Sequence, residues 1–339
     1  MNKYDVVIGL EIHAELNTKS KIFCGCANYA SGQIPKCEED IANSRVCPVC
    51  MGLPGALPVL NRAVVEKTIR AGLCFGCEIA EITIYDRKNY FYPDLPKAYQ
   101  ISQMYQPICV GGGVKLRSGK FIRLNRIHSE EDAGKLAHDD VKEISLVDFN
   151  RCGSPLIEMV TEPDFSSAAE ACEFLDEVRS RLIYSGVANC KMEEGGMRCD
   201  VNISLKPAGS PTLGNRVELK NLNSWKMVAR AIEYEIKRQT NLLDDGKKIN
   251  VETRKWNDGK CTTTAMRSKE GSVDYRYFPD PDQYPVHIAK DTVEKIKNTM
   301  PKLANEYRAE FVKNFGLPEY DADILTRDKN LTDFYLECL

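Results

Sequence analysis

Two kinds of residue in this sequence are spaced for chemistry: close pairs of cysteines, and acidic or histidine side chains set two apart in otherwise apolar segments. Cys24-Gly25-Cys26 is followed after twenty residues by Cys47-Pro48-Val49-Cys50. Four thiolates at that spacing fit a closed tetrahedral Zn²⁺ site, a structural staple with no position left for a substrate. Cys74-Phe75-Gly76-Cys77 is a second pair of the same kind, and Cys37 lies in the intervening loop, so both offer alternative ligands. Cys74 and Cys77 close an apolar, helix-like segment and are expected to be buried. The plain alternative is a set of reduced thiols without metal, because a chain with no export signal keeps its cysteines reduced.

The second set emerges from period-two alternation, which sends successive side chains of a strand to opposite faces. In Asp5–His13, Val6, Ile8, Leu10 and Ile12 share one face, while Glu11 and His13 share the other. Ile122, Leu124 and Arg126 alternate with Arg123, Asn125 and Ile127, ahead of the cluster His128, Glu130, Glu131 and Asp132. Arg198, Asp200, Asn202 and Ser204 lie opposite Cys199, Val201, Ile203 and Leu205, and Glu218 and Lys220 lie opposite Val217 and Leu219. An antiparallel sheet with one face in water would look similar and needs no site. Carboxylates converging on one concave surface repel one another, however, unless cations sit among them. Mg²⁺ prefers such oxygen ligands and commonly shares them with nucleotide phosphates.

The elements that must position these residues follow from the rest of the sequence. At 339 residues the chain can bury a sizeable core, with a prior of about two domains. Its 43% hydrophobic content excludes disorder, and 46 basic against 49 acidic residues excludes a general polyanion-coating role. No apolar run reaches the ~18 residues of a membrane span, so a soluble, cytoplasmic protein is expected. No GxxxxGK[ST] segment occurs, which excludes a P-loop ATPase by motif. Ser167 and Glu170 form a capping box ahead of a helix running to Tyr184, and further helices follow Ser224 and Asn61. Strands and turns make up most of the remainder, so the class is α+β. Gly111-Gly112-Gly113 reads as a hairpin turn. From Asp291 the pattern changes to short helices separated by Pro301 and Gly316-Leu317-Pro318, which puts a boundary near residue 290 between a 1–290 unit and a 291–339 helical segment.

The strings VIGLEIHAEL, SKIFCGC, CPVCMGLPGALPVLN, DRKNYFYPDLPKAYQISQ, HSEEDAGK, VDFNRCGSPLIEMVTEPD, MRCDVNIS, ELKNLNS and DYRYFPDPD run in order from Val7 to about Pro285. They closely resemble the B subunits of the aspartyl/glutamyl-tRNA amidotransferases. The resemblance implies an open antiparallel-sheet cradle for Mg-ATP, of the glutamine synthetase/guanido kinase fold, carrying a zinc-knuckle insertion. It implies ATP-dependent phosphorylation of the side-chain carboxylate of a misacylated Glu-tRNA or Asp-tRNA, followed by amidation with ammonia from a partner amidase, the A subunit. A small third partner, the C subunit, braces the pair. The resemblance also implies a C-terminal tail domain that grips tRNA, which these 339 residues do not include.

Under that reading Glu11, His13, Glu130, Glu131 and Glu218 form the metal-binding set, with Asp200 and Asn202 as neighbours. Arg198 and Lys220 neutralise phosphate oxygens. Arg87 and Lys88 clamp the nucleotide or the terminal adenosine, while most rings of the adjoining Tyr90-Phe91-Tyr92 and Tyr275-Arg276-Tyr277-Phe278 pack onto the core. His138, His287 and the acidic run Glu38-Glu39-Asp40 are assigned no role. Two competing readings are a zinc-stapled tRNA-binding scaffold with a merely solvated sheet face, and a free-standing amide ligase acting on a small carboxylic acid.

Overall fold

The computed structural model describes residues 3–28, 41–139, 142–192, 195–268 and 274–339. The twelve-residue strand β1 (Tyr4–Glu15) is the one that the alternation around Glu11 predicts. Ile8, Leu10 and Ile12 on its apolar face are essentially solvent-free. Two strands from later in the chain, β2 (Phe121–Glu131) and β3 (Pro155–Thr161), lie on one side of it, with β3 directly alongside β1 and β2 beyond. On the other side β4 (Met197–Pro207) pairs with β1 and β5 (Val217–Lys220) with β4. The sheet continues through β6 (Glu252–Asn257) and β7 (Thr262–Ser268) to ten strands in all.

Antiparallel pairing holds along this sheet except between β5 and β6, which run parallel, so the sheet is mixed. A parallel neighbour requires a crossover connection. The helix Trp225–Asp244 supplies it.

Three helices cover the apolar face. They are α1 (Arg62–Cys74), α2 (Ala168–Tyr184) and α3 (Trp225–Asp244), and their caps are the Asn61, Ser167 and Ser224 side chains. Glu170 reaches one residue further back than a capping box requires, accepting from Ser166 N–H at 2.7 Å. Phe174, Leu175, Val178 and Leu182 of α2 join Ile8, Leu10 and Ile12 in one core, where Phe165 meets Phe174 edge to face at 5.2 Å. Burying each such side chain contributes about 1.5–3 kcal/mol, which fixes the register of β1 and with it the direction of Glu11 and His13.

Two details differ from the sequence reading. Gly111–Gly113 is no hairpin turn: Cys109–Val110 and Gly113–Lys115 pair with β2 in one continuous register, so the glycines kink a single run of chain alongside β2. Gly112 has φ +81°, and a Cβ there would fall 2.5 Å from Phe75 O. In β2 the alternation slips one residue, because the β2–β3 register shifts between Val160 and Thr161. Ile122, Leu124 and Ile127 are all buried in consequence.

Beyond the sheet come α4 (Lys290–Asn298), α5 (Ala304–Phe315), α6 (Glu319–Leu325) and α7 (Lys329–Cys338), with Gly316 in the left-handed conformation ending α5. The Tyr184 hydroxyl ties them to α2 through Thr332 Oγ1 at 2.6 Å and Thr326 O at 3.0 Å. Among the described residues no helix is long and apolar enough to cross a membrane.

Candidate functional site

The core decides which way the chemistry faces. With the even-numbered residues of β1 pinned under α2, its odd-numbered side chains stand on the opposite face, and strand pairing sets their neighbours. His13 lies opposite Arg198 on β4 and Glu158 on β3, and Glu158 lies opposite His128 on β2. Four ionisable side chains from four adjacent strands therefore form one row. Glu130 approaches it from two residues further along β2.

The row closes into an alternating square. His13 Nε2 lies 3.5 Å from Glu158 Oε2 and 3.8 Å from Glu130 Oε1. His128 Nε2 lies 3.5 Å from Glu158 Oε2 and 3.7 Å from Glu130 Oε2. Burial alone would keep both imidazoles neutral, but the two carboxylates outweigh it and push His128 up to about 9, with His13 raised in the same direction. Burial likewise opposes charge on Glu130 and Glu158, yet the facing imidazoles hold both below the usual carboxylate range. One donor atom each from His13, Glu130 and Glu158 lies within 4.8 Å of the others, a separation at which one ion could be shared. Three protein ligands would leave positions open for oxygens of a substrate.

A cavity of about 490 Å³ opens against this square. Lys88, Arg151, Arg198 and Lys220 line it together with Asp132 and Asp200. Asp132 sits 3.2 Å from Arg198 and 3.4 Å from Arg151, and its charge raises Arg198 further above the ordinary guanidinium value. Lys220 Nζ bridges Asp200 at 2.7 Å and Glu218 at 3.1 Å. The carboxylates of this second group crowd Glu11, whose carboxyl is pushed up first by burial and then by Glu158, Glu218 and Asp200, against a hydrogen bond from Asn202 Nδ2 at 2.9 Å.

The structure thus brings most of the expected residues to one face but divides them. His13 and Glu130 stand with Glu158, while Glu11, Asp200, Asn202, Glu218 and Lys220 form the neighbouring group. Glu131 stands apart from both: the same period of two turns it away from Glu130, and Lys97 Nζ at 2.7 Å and Ile101 N–H at 2.9 Å take its carboxylate. Arg87 and Lys88 separate for the same reason. Lys88 lines the cavity with its ammonium 4.8 Å from the Tyr275 ring centre, whereas Arg87 stacks on Tyr99 at 4.0 Å and pairs with Asp282 at 2.7 Å. Among the rings, Tyr90 and Tyr92 line the cavity, and Phe91 is 89% exposed rather than packed.

Sequence reasoning passed over Glu158 and gave His128, Asp132 and Arg151 no role. A signal for Glu158 exists: it is the lone charge within Pro155–Thr161, a segment that is otherwise apolar apart from its terminal threonine.

The cysteines converge elsewhere. The sulfurs of Cys24, Cys26, Cys47 and Cys50 all lie within 4.8 Å of one another, as a single ion would require. Cys50 is held low, to about 4, by a hydrogen bond from the Cys24 thiol, by the Cys47 N–H at 3.1 Å and by the Lys21 ammonium at 3.6 Å, and Cys24 is correspondingly pushed up. Cys74 and Cys77 are buried away from this group, with Cys77 Sγ donating to Gly111 O. Cys37 and Glu38–Asp40 lie outside the described residues.

The fold is thus a mixed sheet with helices on one face and a histidine–carboxylate cluster beside a cavity lined by charged side chains of both signs on the other. The model of the GatB/GatE catalytic domain matches residues 6–294. The B subunit of the aspartyl/glutamyl-tRNA(Asn/Gln) amidotransferase of Lachnoclostridium phytofermentans is 52% identical over 338 residues, 99% of this chain and 69% of that protein. Its counterpart from Ruminiclostridium cellulolyticum is 53% identical over 98% of this chain and 68% of its own length, and that from a Thermoanaerobacter species 52% identical over 99% and 70%. The chain belongs to the GatB/GatE catalytic domain family.

Proposed function

We propose that the chain acts as the B subunit of a glutamine-dependent tRNA amidotransferase, an amide-forming ligase that works in the cytoplasm with an amidase partner and a small third partner. Its substrates are ATP and a tRNA carrying glutamate or aspartate in place of glutamine or asparagine. The observation that carries this reading is the His13, Glu130 and Glu158 donor set at the edge of a cavity lined by four cationic side chains.

Both acceptor and donor in the first step are anions, so catalysis must come from positioning and charge neutralisation. Lys88, Arg198 and Lys220 line the cavity and would neutralise phosphate oxygens bound there. The sequence alone groups Glu11, Glu130, Glu131 and Glu218 with His13 as Mg²⁺ ligands. We propose instead His13, Glu130 and Glu158 as that set, Glu11 and Glu218 as members of the neighbouring group beside it, and Glu131 as an anchor through Lys97. Mg²⁺ held there would polarise the phosphoryl oxygens of ATP. The side-chain carboxylate attacks the γ-phosphorus, ADP leaves, and an acyl phosphate results. Ammonia as the free base then displaces phosphate, and a carboxylate of the cage accepts the proton released. Zn²⁺ on Cys24, Cys26, Cys47 and Cys50 would be structural, since four protein ligands close its coordination.

The fold likeness to the glutamine synthetase/guanido kinase cradle, and a division into a 1–290 catalytic unit and a 291–339 helical segment, belong to the same proposal. The test is tRNA-dependent ATP hydrolysis. Glu130→Gln and Glu218→Gln should leave the protein folded and abolish it; an undiminished rate in either variant would count heavily against the reading. ATP turnover independent of misacylated tRNA would instead favour a ligase acting on a small acid.

A further inference from the structure

Among the described residues one lysine is wholly buried: Lys21, whose exposure is 0%. Taking an ammonium out of water is costly unless negative charge meets it, yet no carboxylate among the described residues forms an ion pair with Lys21. Its Nζ donates to Arg45 O at 3.0 Å, a neutral carbonyl, and lies 3.6 Å from Cys50 Sγ. Sulfur is therefore the one partner of this cation that can carry negative charge.

Its place in the chain makes the same residue a tie between the two halves of the cysteine cluster. The Lys21 backbone N–H donates to Cys26 O at 2.9 Å, which closes the loop carrying Cys24 and Cys26. The side chain crosses to the segment that carries Cys47 and Cys50. Gly153 backs both partners. A Cβ built there would lie 3.7 Å from Cys50 Cβ and 3.7 Å from Lys21 Cδ, and Gly153 O accepts from Ile22 N–H at 2.9 Å.

Charge connects this lysine to what the cluster holds. Four thiolates around Zn²⁺ carry a net double negative charge, which is itself unfavourable away from water. A wholly buried cation against one of the sulfurs offsets part of that charge, and the cluster in turn supplies the negative charge that the lysine otherwise lacks.

We infer that Lys21 is the counter-ion of a metal centre at Cys24, Cys26, Cys47 and Cys50, an outer partner that raises the affinity of the cluster for Zn²⁺ through its charge rather than through packing. The inference rests on the reading of these cysteines as zinc ligands.

Two neutral variants of the full chain test it. Lys21→Met removes the charge from a side chain of similar length, and Lys21→Gln is shorter but retains a donor for Arg45 O. Zinc affinity is measured by competition with a chromogenic chelator, and the cobalt-substituted protein reports the energy of its sulfur-to-metal charge-transfer band. Both variants should bind Zn²⁺ about tenfold or more weakly, the range for losing an outer partner of a metal ligand. The band should move to lower energy, because no ammonium then stabilises the sulfur electrons. Either variant suffices should the other fail to fold. Unchanged zinc affinity in a folded variant overturns the counter-ion and leaves the zinc centre standing. Weaker zinc binding with an unmoved band also overturns it, because lost packing would then account for the change. Failure of both variants to fold, with zinc as without it, overturns it as well, since Lys21 would then support the fold itself. Absence of zinc binding by the unaltered chain overturns the counter-ion and the reading of the cysteines together.

Discussion

Replacing Glu158 by glutamine removes a charge while keeping volume and one acceptor oxygen, and its consequence can be worked from the geometry. Glu158 Oε2 lies 3.5 Å from both His13 Nε2 and His128 Nε2. The carboxylates lift His128 from 6.5 to about 9, which is worth about 3 kcal/mol of preference for the imidazolium in the folded state. Glu158 is the stronger of the two lifting charges, so the substitution should remove about 2 kcal/mol of that preference. A histidine raised on folding stabilises the fold fully below its unfolded value, and this contribution disappears as pH rises through the folded value. In the presence of a chelator, the unaltered protein should therefore lose about 3 kcal/mol from this group between roughly pH 6.5 and 9, and Glu158→Gln only about 1. Urea unfolding at about pH 6 and about pH 9.5 reads the difference: the variant should be the less stable by about 2 kcal/mol at the lower pH, with the gap closing at the higher. The same substitution takes a donor from the His13–Glu130–Glu158 group, so Mn²⁺ affinity should fall by more than the ~100-fold that loss of an outer partner costs. A variant that tracks the unaltered protein across this pH range would refute the square as the source of the raised imidazoles.

Three further outcomes follow from the same structure. Cys47→Ser opens the four-sulfur cluster, so zinc should be lost on dialysis and the thermal midpoint should drop; elemental analysis that finds zinc retained would place the metal elsewhere. Lys220→Met leaves Asp200 and Glu218 without their shared ammonium, and because that side chain is 40% exposed the cost to stability should stay near 1 kcal/mol while ATP turnover falls far more. Unfolding and steady-state rates measured on one preparation separate the two effects. Tyr184→Phe removes the hydroxyl between Thr326 and Thr332, costing about 1 kcal/mol and raising hydrogen exchange in α7 ahead of the sheet.

The sequence displayed the site where its periodicity stayed regular. In β4, β5 and the Gly9–His13 part of β1, residues alternate between an apolar face and a polar one, and the faces of Glu11, His13, Arg198, Asp200, Glu218 and Lys220 follow directly. In β2 the register shift opposite Val160 and Thr161 breaks the alternation. Ile122 and Leu124 are buried like Ile127, although they stand at odd spacing from it, and the run from His128 to Asp132 gives no clue as to which members share a side. Geometry then assigns Glu130 to the histidines and Glu131 to Lys97. The parallel pairing of β5 with β6 was hidden for a different reason: it depends on where the chain returns after α3, which is not encoded in either strand's pattern.

Glu158 shows what alternation cannot reveal even when it is regular. Its strand lies between β1 and β2, so both faces are covered, one by the helices and the other by the site, and the resulting apolar run looks like an ordinary buried strand. A charge inside such a run is improbable unless partners from both neighbouring strands meet it. His13 and His128 do so at equal distances, one on each side. The cysteines pose the opposite problem. Close pairing within each motif already places two sulfurs together, so only one long-range contact, between Cys24–Cys26 and Cys47–Cys50, had to be supplied by the fold. Glu11, Glu130 and Glu218 share a face without sharing one ion-sized space. Charge on this face is met by imidazoles beside Glu130 and Glu158, by an ammonium beside Asp200 and Glu218, and by guanidinium groups beside Asp132. The imidazoles can be exchanged for a divalent cation by releasing protons. The ammonium cannot, and it is therefore suited to remaining in place while phosphates arrive and leave.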